Sequence, residues 1–156
     1  MRGKVRVTFR LNGTERTEEM EPNKTLCDFL HDEAGKTSVK KGCDTGECGA
    51  CTVLLDDMPV TSCLVLAPQI DGRDVVTAEG LGTKSSPHPV QEAFVKQDAV
   101  QCGYCIPGMI VTLSWIYEHV PGATDPEIKR LMSGNLCRCT GYLQQIEALK
   151  TARKRA

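Results

Sequence analysis

Gly42-Cys43-Asp44-Thr45-Gly46-Glu47-Cys48-Gly49-Ala50-Cys51 sets three cysteines in one loop at intervals of four and two residues, and Cys63 follows after eleven more. Three thiolates on one short loop concentrate negative charge. The backbone must therefore bring N–H groups close to the sulfurs, and the glycines permit both the close approach and positive φ angles. Cys-x4-Cys-x2-Cys with a distant fourth cysteine is a spacing that holds a 2Fe–2S cluster. The fourth ligand, Cys63, is expected from a strand that folds back beside the loop.

The flanking sequence supplies a sheet to carry that loop. Val5, Val7, Phe9 and Leu11 alternate with polar residues as a half-buried strand does. Asn12-Gly13 is a hairpin signal, and Thr14 to Met20 returns antiparallel. Thr25 followed by Asp28 starts a helix with an apolar stripe of Leu26, Phe29 and Leu30, which Gly35 ends. Thr52–Leu55 and Val60–Cys63 flank Asp57-Met58-Pro59 as a second hairpin, and Asp74–Thr77 reads as a last strand. Beyond this the character changes. Gly80 to Pro87 has the composition of a linker, and four helical stretches follow at 90–99, 107–119, 126–132 and 142–153. Pro107 and Pro126 suit first-turn positions, and Thr124 with Glu127 resembles a capping box. The expectation is an α+β chain, with one unit at 1–80 and a helical unit at 87–156.

The helical half carries a second quartet, Cys102-x2-Cys105-x31-Cys137-x-Cys139. Its first pair precedes a helix opening at Pro107, where unpaired N–H groups favour an anion. Arg138 stands between the last two sulfurs as a charge balance. Spacing alone leaves this quartet open between zinc and iron–sulfur. Structural zinc prefers two Cys-x2–4-Cys pairs, and neither quartet matches that pattern well. The ninth cysteine, Cys27, is expected on a helix far from both quartets, as a small buried apolar residue.

Composition sets the remaining bounds. The chain has 156 residues, a net charge of −1, 40% hydrophobic and only 4% aromatic residues. An aromatic-poor core of this size is modest, so metal anchoring suits it. Near-neutral charge argues against a nucleic-acid surface, and the basic residues at 150–155 suit a helix C-terminus. No apolar run approaches a membrane span, and the N-terminus lacks the pattern of a secretory signal. A cytoplasmic location is expected, and there disulfides are rare. His31, His88 and His119 are scattered, which suits surface roles, and Gly80-Leu81-Gly82 lacks the context of a dinucleotide site.

Three segments in order carry a family resemblance: 42–53 around the first quartet, Gln101-Cys102-Gly103-Tyr104-Cys105-Ile106-Pro107-Gly108-Met109, and Gly134-Asn135-Leu136-Cys137-Arg138-Cys139-Thr140-Gly141-Tyr142. Together they closely resemble the iron–sulfur subunit of the molybdenum hydroxylases, of the xanthine dehydrogenase, aldehyde oxidoreductase and carbon monoxide dehydrogenase type. The resemblance runs from Val5 to Leu149. It implies a β-grasp, plant-type ferredoxin-like domain followed by an all-α four-helix domain, each with a 2Fe–2S cluster. It also implies a large subunit with a molybdopterin cofactor and a medium subunit with FAD. The helical-domain cluster would face molybdenum and the other the flavin, with Gln101 and Cys139 against the pterin. Ile106 stands where the family commonly has threonine, a change expected to alter packing beside Cys105. The alternative is a free-standing ferredoxin that meets its partners transiently, and the second quartet argues against it.

Overall fold

A computed structural model describes residues 3–139 and 142–154. β1 (Val5–Leu11) and β2 (Thr14–Met20) pair antiparallel, with Leu11 opposite Thr14. Asn12 and Gly13 both take positive φ, 51° and 79°. That is the two-residue turn whose twist matches a hairpin. Val7, Phe9 and Leu11 point into the core while Thr8 and Arg10 stay exposed, so the alternation in the sequence is the alternation of the sheet's two faces.

The sheet has five strands in the order β2-β1-β5-β3-β4. β3 (Thr52–Leu55), β4 (Met58–Thr61) and β5 (Asp74–Val76) complete it. β5 lies parallel to β1 and antiparallel to β3, so the sheet is mixed. The helical crossing begins at α1 (Leu26–Asp28) and continues as a π-helical turn, Phe29–Glu33. The Asp28 N–H donates to Thr25 Oγ1 at 3.1 Å, and Gly35 at φ +67° ends the segment. Phe29 meets Phe9 edge-on, with ring centroids 5.7 Å apart. Both rings are buried, each worth roughly 1.5–3 kcal/mol.

Two details depart from the sequence reading. The β3–β4 turn is Asp56-Asp57, with φ of 47° and 64°, so Met58 and Pro59 lie in β4 itself. β4 is an edge strand, where a proline costs no ladder bond. Cys63 sits in a 3₁₀ turn, Ser62–Leu64, just past the end of β4 rather than on a strand.

Four helices follow: α2 (Pro89–Lys96), α3 (Ile106–His119), α4 (Asp125–Leu131) and α5 (Leu143–Arg153). α2 stops short of the expected Ala99 because Asp98 takes φ +47°. The Thr124 N–H donates to the Glu127 carboxylate at 2.7 Å, as the capping-box reading required. Ile106, Met109, Leu113 and Ile116 of α3 pack with Val90, Phe94, Ile146 and Leu149. The other side of α3 carries Gly108 and Thr112 toward the cysteine loops. This is the α+β arrangement expected, a ferredoxin-like sheet followed by helices. Among the described residues no helix is long and apolar enough to cross a membrane.

Candidate metal centres

All nine cysteines are free of disulfides. In the first quartet backbone N–H groups converge on the Cys43 sulfur. Those of Thr45 and Cys48 reach Cys43 Sγ, each at 3.4 Å. The backbone N–H groups of Ala50, Cys63 and Gly46 favour the thiolate forms of Cys48, Cys51 and Cys63 respectively. Hydrogen bonds from Thr45 hold the Cys43 thiol down to about 6. The neighbouring Cys27 thiol brings Cys51 down to about 5. Burial pushes Cys63 up to about 12 and raises Cys48.

Within each quartet the thiols perturb one another in pairs, Cys43 with Cys48 and Cys51 with Cys63 in the first, Cys102 with Cys139 and Cys105 with Cys137 in the second. Two pairs per quartet match the donor set of a cluster with two irons and four thiolates. Among the described residues no three His, Cys, Asp or Glu side chains group as one ion would require. Burial pushes Cys105 up to about 12, with Cys137 as the next cause, while contact with Cys102 raises Cys139. The residues therefore fit two 2Fe–2S clusters.

The two cysteine loops are not independent. Leu136 N–H donates to the Cys48 carbonyl at 2.9 Å. The buried side chain of Asn135 donates to the Gly49 carbonyl at 3.0 Å and to Thr52 Oγ1 at 3.2 Å, and accepts from Thr112 Oγ1 at 2.8 Å. Tyr104 Oη donates to the Lys41 carbonyl at 2.5 Å. A Cβ on Gly49 would lie 2.2 Å from the Gly134 carbonyl oxygen, and its φ is +66°. The sequence reading places a linker at 80–87 between the two units; these bonds join their cysteine loops directly.

The quartets differ in exposure. Cys51 and Cys63 are buried, whereas Cys102 and Cys139 are exposed, as are Gln101 and Arg138. Gln101 thus stands at the open end of the second site. Thr140 and Gly141 of the third quoted segment lie outside the described residues.

A family described as "2Fe-2S iron-sulfur cluster binding domain" matches residues 9–78, and one described as "[2Fe-2S] binding domain" matches 77–150. The nicotinate dehydrogenase small FeS subunit of Eubacterium barkeri is 47% identical over 152 residues, 97% of each chain. Quinoline 2-oxidoreductase from Pseudomonas putida 86 superposes with a TM-score of 0.93 at 38% identity, covering 97% of this chain and 95% of that one. Aldehyde oxidoreductase from Desulfovibrio gigas gives 0.91 at 33% identity, with 96% of this chain spanning 17% of that one. This chain is a small 2Fe–2S subunit of the molybdenum hydroxylase family. The small subunit carries two 2Fe–2S domains and relays electrons within an oxidoreductase.

Three features of the small subunit were not legible beforehand. Cys27 is buried as expected, but it lies against Cys51 rather than far from the quartet. Distance along the chain concealed this, because α1 folds onto the turn after β4: Leu26 N–H donates to the Val65 carbonyl at 2.7 Å. Asn135 and Tyr104 stand inside quoted segments, yet nothing local marks them as bridges. His119 was assigned a surface role. It is exposed, but its Nε2 meets Asp57 Oδ2 at 2.8 Å and so links α3 to the β3–β4 turn.

Proposed function

We propose that Cys43, Cys48, Cys51 and Cys63 hold one cluster and Cys102, Cys105, Cys137 and Cys139 the other. The chain then passes electrons from a molybdopterin site on a large partner subunit to FAD on a medium subunit, or to another acceptor, in a cytoplasmic complex. Bound at these sites, each cluster supplies a centre that takes one electron at a time. The observation that carries the reading is the pairing of sulfurs within two quartets whose loops share hydrogen bonds.

The chain's own residues have three tasks in this scheme. Backbone N–H groups at the first quartet offset thiolate charge. Burial of Cys51 and Cys63 shields those two sulfurs from water. The bonds from Asn135 and Leu136 hold the two sites in a constant relation, so the path between them does not depend on a collision. Exposed Gln101 and Cys139 suit a contact with the pterin, with Gln101 as a positioning residue beside Cys102. The same exposure supports the order molybdenum, helical-domain cluster, ferredoxin-type cluster, flavin.

The test is rapid-freeze electron paramagnetic resonance on the intact complex after mixing with substrate. The helical-domain signal should appear first. Normal reduction of the ferredoxin-type cluster, in a complex lacking only the helical-domain cluster, would overturn the order.

A further inference from the structure

The large apolar side chains that this fold leaves in water are gathered rather than scattered. Six of the nine exposed among the described residues stand within four positions of a quartet cysteine. Single exposed residues need no explanation, but groups at two sites mark surfaces that a partner covers. The two sites differ in charge. Around the second quartet, residues 100–105 and 134–139 hold Arg138 and no carboxylate. Around the first, residues 42–52 and 61–67 hold Asp44 and Glu47 and no cation. Both acids are exposed and join no ion pair among the described residues, whereas Lys41, next to the loop, is paired with Asp28. Leu64 is 63% exposed, and a Cβ on Gly46 would lie 2.3 Å from its Cδ1. This leucine therefore rests on the loop between the two acids. A bond from Val65 N–H to the Ser62 carbonyl, 3.3 Å, closes the turn that carries it.

We propose that Leu64, flanked by Asp44 and Glu47, is the anchor on which the FAD-bearing medium subunit docks, and that this subunit offers an apolar socket rimmed by lysine or arginine. This rests on the reading that the ferredoxin-type cluster passes its electrons to flavin. Charge and position together choose the occupant. A basic rim is drawn to the two carboxylates and to the thiolate charge beside them, which steers encounter and fixes register. Under the same reading the molybdopterin subunit meets the carboxylate-free face at Gln101 and Cys139. Two partners with different rims are thereby kept from exchanging places. Leu64 already lies against Gly46, so entering a socket costs it little further side-chain freedom.

Coexpression of the whole complex tests this with Leu64→Glu and with Glu47→Lys combined with Asp44→Asn, since asparagine tolerates the φ of +55° at position 44. Native mass spectrometry reads the subunits retained, alongside FAD and iron per chain. Leu64→Glu should weaken retention of the medium subunit by about tenfold or more, while the large subunit and both cluster signals stay. The charge variant should also weaken it and flatten a salt dependence that the wild type shows. A medium subunit held normally by Leu64→Glu, or loss of the large subunit instead, would overturn the proposal. If Leu64→Glu loses iron, Leu64→Ala takes its place with the same two outcomes. A variant that turns a dimer of the isolated chain into a monomer, with FAD content unchanged, would give the face to a second copy and end the proposal. A wild-type complex with iron and the large subunit but no FAD subunit removes the underlying reading and this one with it. An FAD subunit that is present but indifferent to Leu64 removes this inference alone.

Discussion

At the scale of single residues, glycine at position 49 is required by two independent facts. Its φ is +66°, and a Cβ there would strike the Gly134 carbonyl oxygen at 2.2 Å. Left-handed backbone costs an L-residue roughly 1–2 kcal/mol before any clash is added. Gly49→Ala should lower the melting temperature and disturb the spectra of both clusters, because the displaced carbonyl adjoins the second quartet's loop. A loss confined to the ferredoxin-type signal would mean the loops yield separately. Gln101 makes a different case. It is exposed, so Gln101→Ala should leave both clusters assembled and stability unchanged while slowing cluster reduction by substrate in the complex. Stopped-flow bleaching of the iron–sulfur absorbance reads this directly.

Between elements, the contacts that matter join the helical half to the sheet. Asn135→Ala removes no ligand and leaves Thr52 bonded to the Gly49 carbonyl, but it breaks the bridge to both and strands the buried Thr112 hydroxyl, at a cost of about 1–3 kcal/mol. Both cluster signals should broaden or shift together. Cys48→Ser differs, since it keeps the backbone carbonyl that accepts from Leu136. It should damage the ferredoxin-type signal and spare the other. The His119–Asp57 contact adds a pH dependence. The Trp115 carbonyl and then the Asp57 carboxylate raise the His119 pKa above its ordinary value. A raised folded-state value means the contribution is fully present below the ordinary imidazole range, about 6.5, and is lost as pH rises through the raised value. In proton NMR the His119 ring should titrate above that range, and Asp57→Asn should bring it back down. An unshifted His119 in the wild type would remove the ion pair from the account.

For the whole molecule, iron analysis should find about four irons per chain, two for each quartet. Stoichiometric zinc with little iron would end that reading. Cys27→Ala should leave iron and labile sulfide unchanged. No flavin, pterin or nicotinamide motif is evident in the sequence, and the isolated chain should oxidise none of the complex's substrates. A molybdopterin-binding subunit should copurify with it. Colour and iron in the free protein, with no associated subunit, would favour the transient carrier instead.

Ligand types, their spacing, the alternating strands and the capping residues were all legible along the chain, because each depends on neighbours a few residues apart. β1, the Asn12-Gly13 turn and the Thr124 cap therefore stand where the sequence put them. The Asp56-Asp57 turn was misplaced by two residues because Pro59 reads locally as a turn, and only the edge position of β4 makes it tolerable in a strand. Tertiary structure alone decided the pairing of sulfurs across residues 105 and 137, the Asn135 bridge to Gly49, and the burial of Cys27 against Cys51. Each of these joins positions distant along the chain through hydrogen bonds and close packing. Such contacts exist only once the chain has folded, so no local pattern of residues announces them.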